Sequence, residues 1–197
     1  MTTKNILLIQ GHPDTIKSHL CHALASRYAV GASESGHAVR WIDVAELNFP
    51  LIRSQKAWEE RSLPDALLKA QEDILWATHI VLFFPLWLGD MPAVLKGFLE
   101  QIARPGFAFE REQGNTAFST KRLTGRSARI VVTMSMPALV YRWFFRAHSV
   151  KSLERNILGL LGISPVHETL VGKVGSLKAE EVQKWLRRLR RLGRGGE

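Results

Sequence analysis

A ten-residue segment near the amino terminus carries the residue types best suited to hold an anion. It reads Gln10-Gly11-His12-Pro13-Asp14-Thr15-Ile16-Lys17-Ser18-His19, between a short apolar run and a helical pattern. The first N–H groups of that helix, at Ser18, His19 and Leu20, would point at a negative ligand. The Ser18 hydroxyl can add a hydrogen bond, and Lys17 and a charged His12 would reinforce the attraction. We therefore expect an anion site at this segment.

The same segment excludes two common nucleotide-binding motifs. Gly11 stands alone, so neither G-x-G-x-x-G nor the P-loop pattern is present. A flavin phosphate is the remaining common choice, although Ser18 could equally cap the helix without a ligand. His19 and His22 lie one helical turn apart, as in some metal sites, but only Cys21 is nearby and it points to another face. We expect no metal.

A second candidate segment runs from Phe83 to Pro92. Pro85 stops an apolar strand, Trp87 offers a rigid planar wall, and Gly89 lets the backbone approach a ligand closely. Trp87 could also simply cap the core. In the helix that follows, Gly97 costs helix stability, which indicates tight packing against a neighbour, either within the chain or in another subunit.

These two segments must be positioned by short strands that alternate with longer helices. The apolar pattern predicts strands at Ile6–Gln10, Ala38–Val44, Ile80–Phe84, Ala128–Met134 and Val166–Val171. It predicts helices at Ser18–Ser35, Leu63–Thr78 and Pro92–Ile102, another through Leu153 and Leu161, and a terminal helix capped by Ser176. The long connection from Pro105 to Arg126 is predicted to be a surface loop with a small hairpin. Such alternation predicts one α/β domain over residues 1–197, a doubly wound five-stranded parallel sheet with helices on both faces.

Composition narrows the class of protein further. The chain has 197 residues, 46% of them hydrophobic, and one cysteine, Cys21, which fits a reducing compartment. The longest apolar run, Ile80 to Leu88, is too short to span a bilayer, and no signal peptide is visible, so we expect a cytoplasmic protein. Much of the net charge of +9 lies in the last segment. We interpret it as the solvated face of a last helix and expect no nucleic-acid partner.

Two stretches resemble the signature of the flavodoxin-like NAD(P)H:quinone reductases. They are Phe84 to Phe98, with the order Phe-Pro-Leu-Trp and then Met-Pro-Ala-Val-Leu-Lys-Gly-Phe, and Pro105 to Phe109. That family includes DT-diaphorase and the quinone reductases that accompany bacterial potassium-efflux systems, and the first segment is similar to the bacterial members. The resemblance covers nearly the whole chain. It implies a flavodoxin-like fold and a flavoenzyme that passes hydride from NAD(P)H to a quinone-like acceptor in ping-pong order.

The resemblance also implies a role for particular residues. The flavin phosphate would bind at His12, Ser18, His19 and Leu20, and the flavin ring would lie against Pro85, Leu86, Trp87 and Leu88. A third loop, Thr133, Met134, Ser135 and Met136, would close over the pyrimidine end of the ring. The family typically has Thr-Thr-Gly-Gly there, so Thr133 matches and the two glycines do not. Tyr141, with His148 one residue beyond the expected place, would steady charge on the reduced flavin. Tyr141 as an interface aromatic and His148 as a residue at a helix start are the alternatives.

Several alternatives stay open at this level. The cofactor is FMN or FAD, and the reductant is NADH or NADPH. The resemblance implies a homodimer with the active site at the interface, for which Trp87 and the segment from Tyr141 to Phe145 would supply shared walls. A flavin-binding regulatory subunit of a membrane transporter is a second hypothesis. Its only support in the sequence is the basic terminal helix, through which the protein would associate weakly with the membrane or the transporter. A one-electron flavodoxin ranks last, because those carriers are usually acidic.

Overall fold

A computed structural model describes residues 2–15, 19–59, 62–110 and 120–197 of the chain. Its strands are β1 Asn5–Gln10, β2 Ala38–Asp43, β3 His79–Pro85, β4 Phe109–Glu110, β5 Thr120–Lys121, β6 Ser127–Thr133 and β7 Val166–Val171. Five of them form one parallel sheet in the order β2-β1-β3-β6-β7. That order reverses between β1 and β3, as in the flavodoxin-like arrangement. The antiparallel pair β4 and β5 confirms the predicted hairpin.

Helices cover both faces of this sheet. They are α1 Leu20–Glu34, α2 Gln55–Glu59, α3 Asp65–Trp76, α4 Ala93–Ile102, α5 Ala138–Trp143, α6 His148–Ser152, α7 Gly159–Leu161 and α8 Ala179–Gly195. A π-helical stretch, Leu153–Leu158, joins α6 to α7. Along β1, Leu7 and Ile9 face the core beneath α3 and α4, while Ile6 and Leu8 face the core beneath α1 and α8. Because both faces are buried, the central strands are continuously apolar rather than alternating.

The predicted elements are confirmed, with corrections at two helix starts. Helix α1 begins at Leu20 with His19 at its N-cap, not at Ser18, which lies outside the described residues. Helix α8 begins at Ala179, so Ser176 is not its N-cap; Ser176 belongs to a short 3₁₀ turn. The reason is local: the backbone N–H of Lys178 donates to the Glu181 carboxylate at 2.9 Å, which satisfies the helix start two residues later.

Gly97 has its close neighbour inside the chain. A Cβ built there would lie 2.9 Å from Leu51 Cδ2 and 3.6 Å from Phe49 Cε2. The tight packing predicted for this helix is therefore against the segment that follows β2, rather than against another subunit.

The basic residues of the last segment lie on the outer face of α8. Lys184, Arg187, Arg188 and Arg191 are exposed, while Leu189 is buried against the sheet. Arg190 and Arg194 reach back to Glu34 at the end of α1. The interpretation of this charge as a solvated helix face is confirmed. Across the described ranges, no helix is both long enough and apolar enough to cross a membrane.

His79, the first residue of β3, gives the fold a predictable acid sensitivity. Its side chain is 1% exposed and its Nδ1 lies 2.8 Å from Ser127 Oγ, while its Nε2 has no partner among the described residues. Burial lowers the pKa of His79 from 6.5 to about 4. The native protein therefore holds a neutral imidazole that the unfolded chain protonates below about pH 6.5, so this stabilisation is complete above pH 6.5 and is lost as the pH falls towards 4.

We expect the His79→Gln variant to lose less stability on acidification than the wild type. The difference should reach about 3 kcal/mol in the free energy of unfolding between pH 6.5 and pH 4. Urea titrations over that range measure it, with the exposed His148→Gln as the matched control. Parallel curves for the wild type and His79→Gln would contradict the prediction.

Candidate functional site

Three loops meet at the carboxyl edge of the sheet, where β1, β3 and β6 end side by side. We refer to residues 11–19 as the first loop, 86–92 as the second and 134–137 as the third. The Gly11 N–H donates to the Phe83 carbonyl at 2.7 Å, and the Leu86 N–H donates to the Thr133 carbonyl at 2.8 Å. These bonds tie the start of the first loop to β3 and the start of the second loop to β6, so the described parts of the loops lie side by side at the edge where a doubly wound sheet binds ligands.

Side chains hold the beginning of the first loop, residues 11–14, in a defined shape. The Gln10 carboxamide oxygen accepts the His12 N–H at 3.0 Å, and His12 Nδ1 accepts the Asp14 N–H at 3.1 Å. His12 is only 5% exposed. Since its Nδ1 is an acceptor, a neutral His12 carries its proton on Nε2 and can donate from that atom.

The start of α1 offers hydrogen-bond donors at the end of the first loop. His19, the N-cap, makes no side-chain capping bond, and its ring Nε2 lies 3.1 Å from Asp14 Oδ2. Within the part of the chain that is described, the N–H groups of His19 and Leu20 donate to no acceptor. Gln10 Nε2 is likewise buried without a described partner. A buried donor without an acceptor, such as Gln10 Nε2, is costly, so this cluster fits an anionic or carbonyl-rich ligand.

Three imidazole rings, those of His12, His19 and His22, lie close together at the start of α1. The ring centroids of His12 and His19 are 4.0 Å apart and nearly parallel, and His22 lies 4.9 Å from His12 and 5.8 Å from His19. The sequence identified His22 only as a possible metal ligand one turn from His19. Among the described residues, no group of three or more His, Cys, Asp or Glu side chains is arranged to hold a metal ion.

The second loop is a tight turn that presents an aromatic face. Trp87 and Asp90 exchange both backbone hydrogen bonds, at 2.8 and 3.0 Å, around Leu88 and Gly89. Both central residues have positive φ, 49° and 84°, the geometry of a type I′ turn. Leu88 adopts this conformation at a steric cost and is fully exposed at the tip. Trp87 is 51% exposed, and its ring lies edge-on to His12 at 6.2 Å.

The remaining residues predicted for the second loop, Pro85 and Leu86, differ in how far they are exposed. Pro85 is buried as the last residue of β3, and Leu86 is half-buried. The N–H groups of Leu86 and Trp87 already donate within the loops. Side-chain surface, rather than these two amides, is therefore what the second loop offers a ligand.

The third loop is fastened to the segment that follows β7. The Met134 N–H donates to the Val171 carbonyl at 2.9 Å, and the Met134 carbonyl accepts the Val174 N–H at 3.1 Å. Thr133 and Met134 are both buried. Ser135 is exposed and Met136 is half-buried. Among the described residues, the N–H groups of Ser135 and Met136 have no acceptor and remain the candidates for contact with a ring edge.

Tyr141 lies in the core rather than on the surface of the site. It is 2% exposed; its hydroxyl lies 2.6 Å from Ser149 Oγ and accepts the Val150 N–H at 3.3 Å. Val150 belongs to the first turn of α6, so the hydroxyl satisfies a helix-start donor. In this structure the Tyr141 hydroxyl bonds to groups of the fold, and its role towards a flavin stays a prediction. His148 is exposed as the first residue of α6.

We expect Tyr141→Phe to lower the free energy of unfolding by about 1–2 kcal/mol, because Ser149 and the Val150 N–H lose a buried partner. Ser149→Ala should cost a similar amount, and the double variant should cost less than the sum of the two. Guanidinium titrations of the three variants check this. Strictly additive costs would show that the hydroxyl pair is not a coupled unit.

A large apolar patch surrounds α5 next to the third loop. Trp143 and Phe144 are 76% and 78% exposed, and Leu139, Val140 and Phe145 are also exposed. Two consecutive non-glycine residues with positive φ, Arg146 and Ala147, end the segment. Contiguous exposed apolar residues of this kind are typical of an interface or a ligand entrance.

The fold and the three loops define a flavodoxin-like α/β protein whose candidate ligand site places hydrogen-bond donors of the first loop beside the exposed Trp87 ring. A family model described as Flavodoxin_2, with a flavodoxin-like fold, matches residues 4–192. The chain therefore belongs to the Flavodoxin_2 family.

Individual relatives agree with this assignment. A Haemophilus influenzae protein described as an uncharacterized NAD(P)H oxidoreductase is 29% identical over 174 residues, covering 86% of this chain and 84% of the relative. The NAD(P)H:quinone oxidoreductase from Methanothermobacter marburgensis superimposes with a TM-score of 0.81 at 23% identity, over 100% of this chain and 97% of that one. An FMN-dependent NADH-azoreductase from Bacillus anthracis, solved with FMN, gives a TM-score of 0.71 at 17% identity, over 97% and 98%. At these identities the two solved structures show the shared fold.

Proposed function

We propose that the protein is a flavin-dependent NAD(P)H:quinone oxidoreductase. The observation that carries the proposal is the junction of a donor-rich first loop with the half-exposed Trp87, at 6.2 Å from His12. A phosphate on one side and a planar ring on the other fit these two features. The relatives named as NAD(P)H and quinone oxidoreductases support the same reaction class.

The described residues fit a flavin phosphate at the first loop. The Gln10 amide nitrogen and the N–H groups of His19 and Leu20 have no acceptor among the described residues, and His12 can donate from Nε2. Ser18, also assigned here from sequence, lies outside the described residues. When bound, the flavin supplies the two-electron redox chemistry that side chains lack. FMN is the form we propose, in line with the FMN-bound azoreductase of the same fold, and FAD is the alternative.

The other two loops would orient the ring and its partners. Trp87 supplies an apolar wall with Leu86 and Pro85 behind it, and the exposed Leu88 shields the outer edge. The N–H groups of Ser135 and Met136 would face the polar end of the ring, where negative charge is best met by fixed donors. A single stacking position beside Trp87 would serve NAD(P)H and then the acceptor, which predicts ping-pong kinetics.

Tyr141 and His148 would act on this site in different ways. Tyr141 holds the start of α6 through Ser149 and Val150, so it positions His148 rather than contacting the ring. His148 is the exposed imidazole at that position and is the group we propose for meeting charge near the bound ring.

We also propose that the protein acts as a homodimer with the site at the interface. The patch of Leu139, Val140, Trp143, Phe144 and Phe145 lies beside the third loop and is too apolar to favour exposure to water. A second copy of the chain would cover it and close the ligand site. A Trp143→Glu/Phe144→Glu double variant should run as a monomer in analytical ultracentrifugation where the wild type sediments as a dimer. A wild type that is monomeric at micromolar concentration would overturn this part. The buried free thiol of Cys21 supports the cytoplasm as its compartment.

The decisive experiment is an absorbance spectrum of the purified protein with mass identification of the released flavin. We expect flavin bands, FMN after release, and steady NAD(P)H consumption on addition of a soluble benzoquinone. A colourless protein that neither FMN nor FAD reconstitutes would overturn the proposal. A flavin-loaded protein that oxidises NAD(P)H but reduces azo dyes far faster than quinones would overturn the choice of acceptor.

A further inference from the structure

We infer that His12, His19 and His22 form one seat for a terminal phosphate, and that binding of the phosphate dianion draws about one proton from the solvent onto His22. The inference rests on the proposed function, since it takes the flavin phosphate as the ligand of the first loop. It adds His22 to the site and assigns different tasks to the three imidazoles.

The geometry makes the three rings one unit. His12 stacks on His19 at 4.0 Å with an interplanar angle of 21°, and His22 approaches His12 to 4.9 Å. At such separations two imidazolium rings repel each other strongly, because little water can screen them. Without an anion, the stack therefore favours neutral rings.

His12 is the member that stays neutral. Its Nδ1 is occupied by the Asp14 N–H, so protonation of that atom would break a hydrogen bond within the loop. Burial, then His19 and His22, lowers the pKa of His12 from 6.5 to about 4. Its task is thus a fixed one: it presents the Nε2 proton to the phosphate at every physiological pH.

His22 is the member that can take the proton. The third ring, His19, has its Nε2 at 3.1 Å from Asp14 Oδ2. His22 Nδ1 is buried with no described partner. Burial is the main cause that lowers the pKa of His22, opposed by Asp43 at the end of β2 and by Asp14.

The charged groups that face the stack therefore come from three elements. Asp14 belongs to the first loop, His19 and His22 to the start of α1, and Asp43 to β2. Cys21, also on α1, stays protonated because burial raises its pKa to about 12. A bound phosphate dianion adds two negative charges beside a stack that has no fixed cation among these residues, so a proton on His22 becomes favourable.

The unsatisfied Gln10 amide is an independent sign of a ligand at this place. Gln10 is 2% exposed, its oxygen holds the His12 N–H, and its Nε2 has no described acceptor. A phosphate oxygen between Gln10, His12 and the start of α1 would satisfy it. The site would then contain two neutral donors, Gln10 and His12, at every physiological pH, and one further proton that is taken up from the solvent when the phosphate binds.

Calorimetric titration of the apoprotein with FMN at pH 7.5 tests the inference. The observed enthalpy is measured in two buffers of different ionisation enthalpy, which gives the number of protons taken up. FMN is already a dianion at this pH, since a phosphate monoester has its second pKa near about 6. We expect uptake of about one proton and a dissociation constant that rises up to about tenfold per pH unit between pH 7 and 8.5.

Matched ligands and variants assign the proton. Riboflavin, which lacks the phosphate, should bind with no proton uptake, and His22→Gln should lose at least half of the uptake seen with FMN while still binding riboflavin. His167→Gln, on the exposed start of β7, should match the wild type. FMN binding without proton uptake in the wild type would overturn the inference and leave the proposed function standing. Failure to bind either flavin would overturn both.

Discussion

Replacing Gly31 with alanine should lower the free energy of unfolding by about 3 kcal/mol or more. A Cβ at this position would lie 1.9 Å from the backbone carbonyl oxygen of Arg190, and no rotamer change can relieve a clash with backbone. Alanine favours an isolated helix over glycine by only about 1 kcal/mol. The steric term therefore exceeds the gain in helix propensity, and the variant should be destabilised.

We expect the same loss of stability when Gly193, the corresponding glycine on α8, is replaced by alanine. A Cβ on Gly193 would lie 2.0 Å from the Tyr28 carbonyl oxygen, so each helix uses a glycine to admit the backbone of the other. Forcing α1 and α8 apart would also separate Glu34 from Arg190 and Arg194. Urea titrations of Gly31→Ala and Gly193→Ala measure the effect.

Gly175→Ala is the matched control for these two variants. No atom lies within 4 Å of a Cβ built at Gly175, so its substitution should change the free energy of unfolding by less than about 0.5 kcal/mol. A Gly31→Ala protein as stable as the wild type would contradict the close crossing of α1 and α8.

Replacing His19 with aspartate should weaken FMN binding by about 100-fold, with little loss of stability. A carboxylate at about 4 Å from a phosphate is unfavourable by about 1–4 kcal/mol, depending on the local dielectric. The same substitution suits the helix, because aspartate is a preferred N-cap and His19 makes no side-chain capping bond. The binding defect is therefore separable from folding.

Asparagine at position 19 provides the neutral control. It also caps helices well but carries no charge, so His19→Asn should lose less than about tenfold in affinity. Quenching of FMN fluorescence on titration with apoprotein measures all three dissociation constants. Equal affinities for His19→Asp and the wild type would show that the phosphate does not bind at the start of α1.

Local patterns in the sequence were enough for the architecture and for two of the three loops. The apolar runs at β1 and β3 are buried on both faces, so their composition alone marks them as central strands. The first and second loops follow those strands directly, and parallel strands bring their carboxyl ends to one edge. The positions of His12, His19 and Trp87 near one another follow from these local facts.

The third loop and its surroundings could not be assigned in the same way. Met134 and Tyr141 follow β6 in sequence, and Tyr141 matches the family pattern in position, yet both side chains are buried. Their orientation depends on Val171, Ser149 and Val150, which reach them only after β7 and α6 have packed. The pattern of apolar and polar residues within the loop does not predict those contacts.

What the sequence determined by itself was the order of strands and helices, the parallel sheet, and the presence of a donor-rich loop beside an aromatic one, because each depends on residues a few positions apart. Tertiary structure alone decided which imidazoles stack on one another, that the Gln10 amide nitrogen has no acceptor among the described residues, and how closely Gly31 approaches Arg190. Those features join residues on different elements, at distances of a few ångströms set by packing of the whole core. A contact between two side chains can be predicted from the sequence only when the two residues lie close together along the chain, because the local backbone conformation then fixes the distance between them.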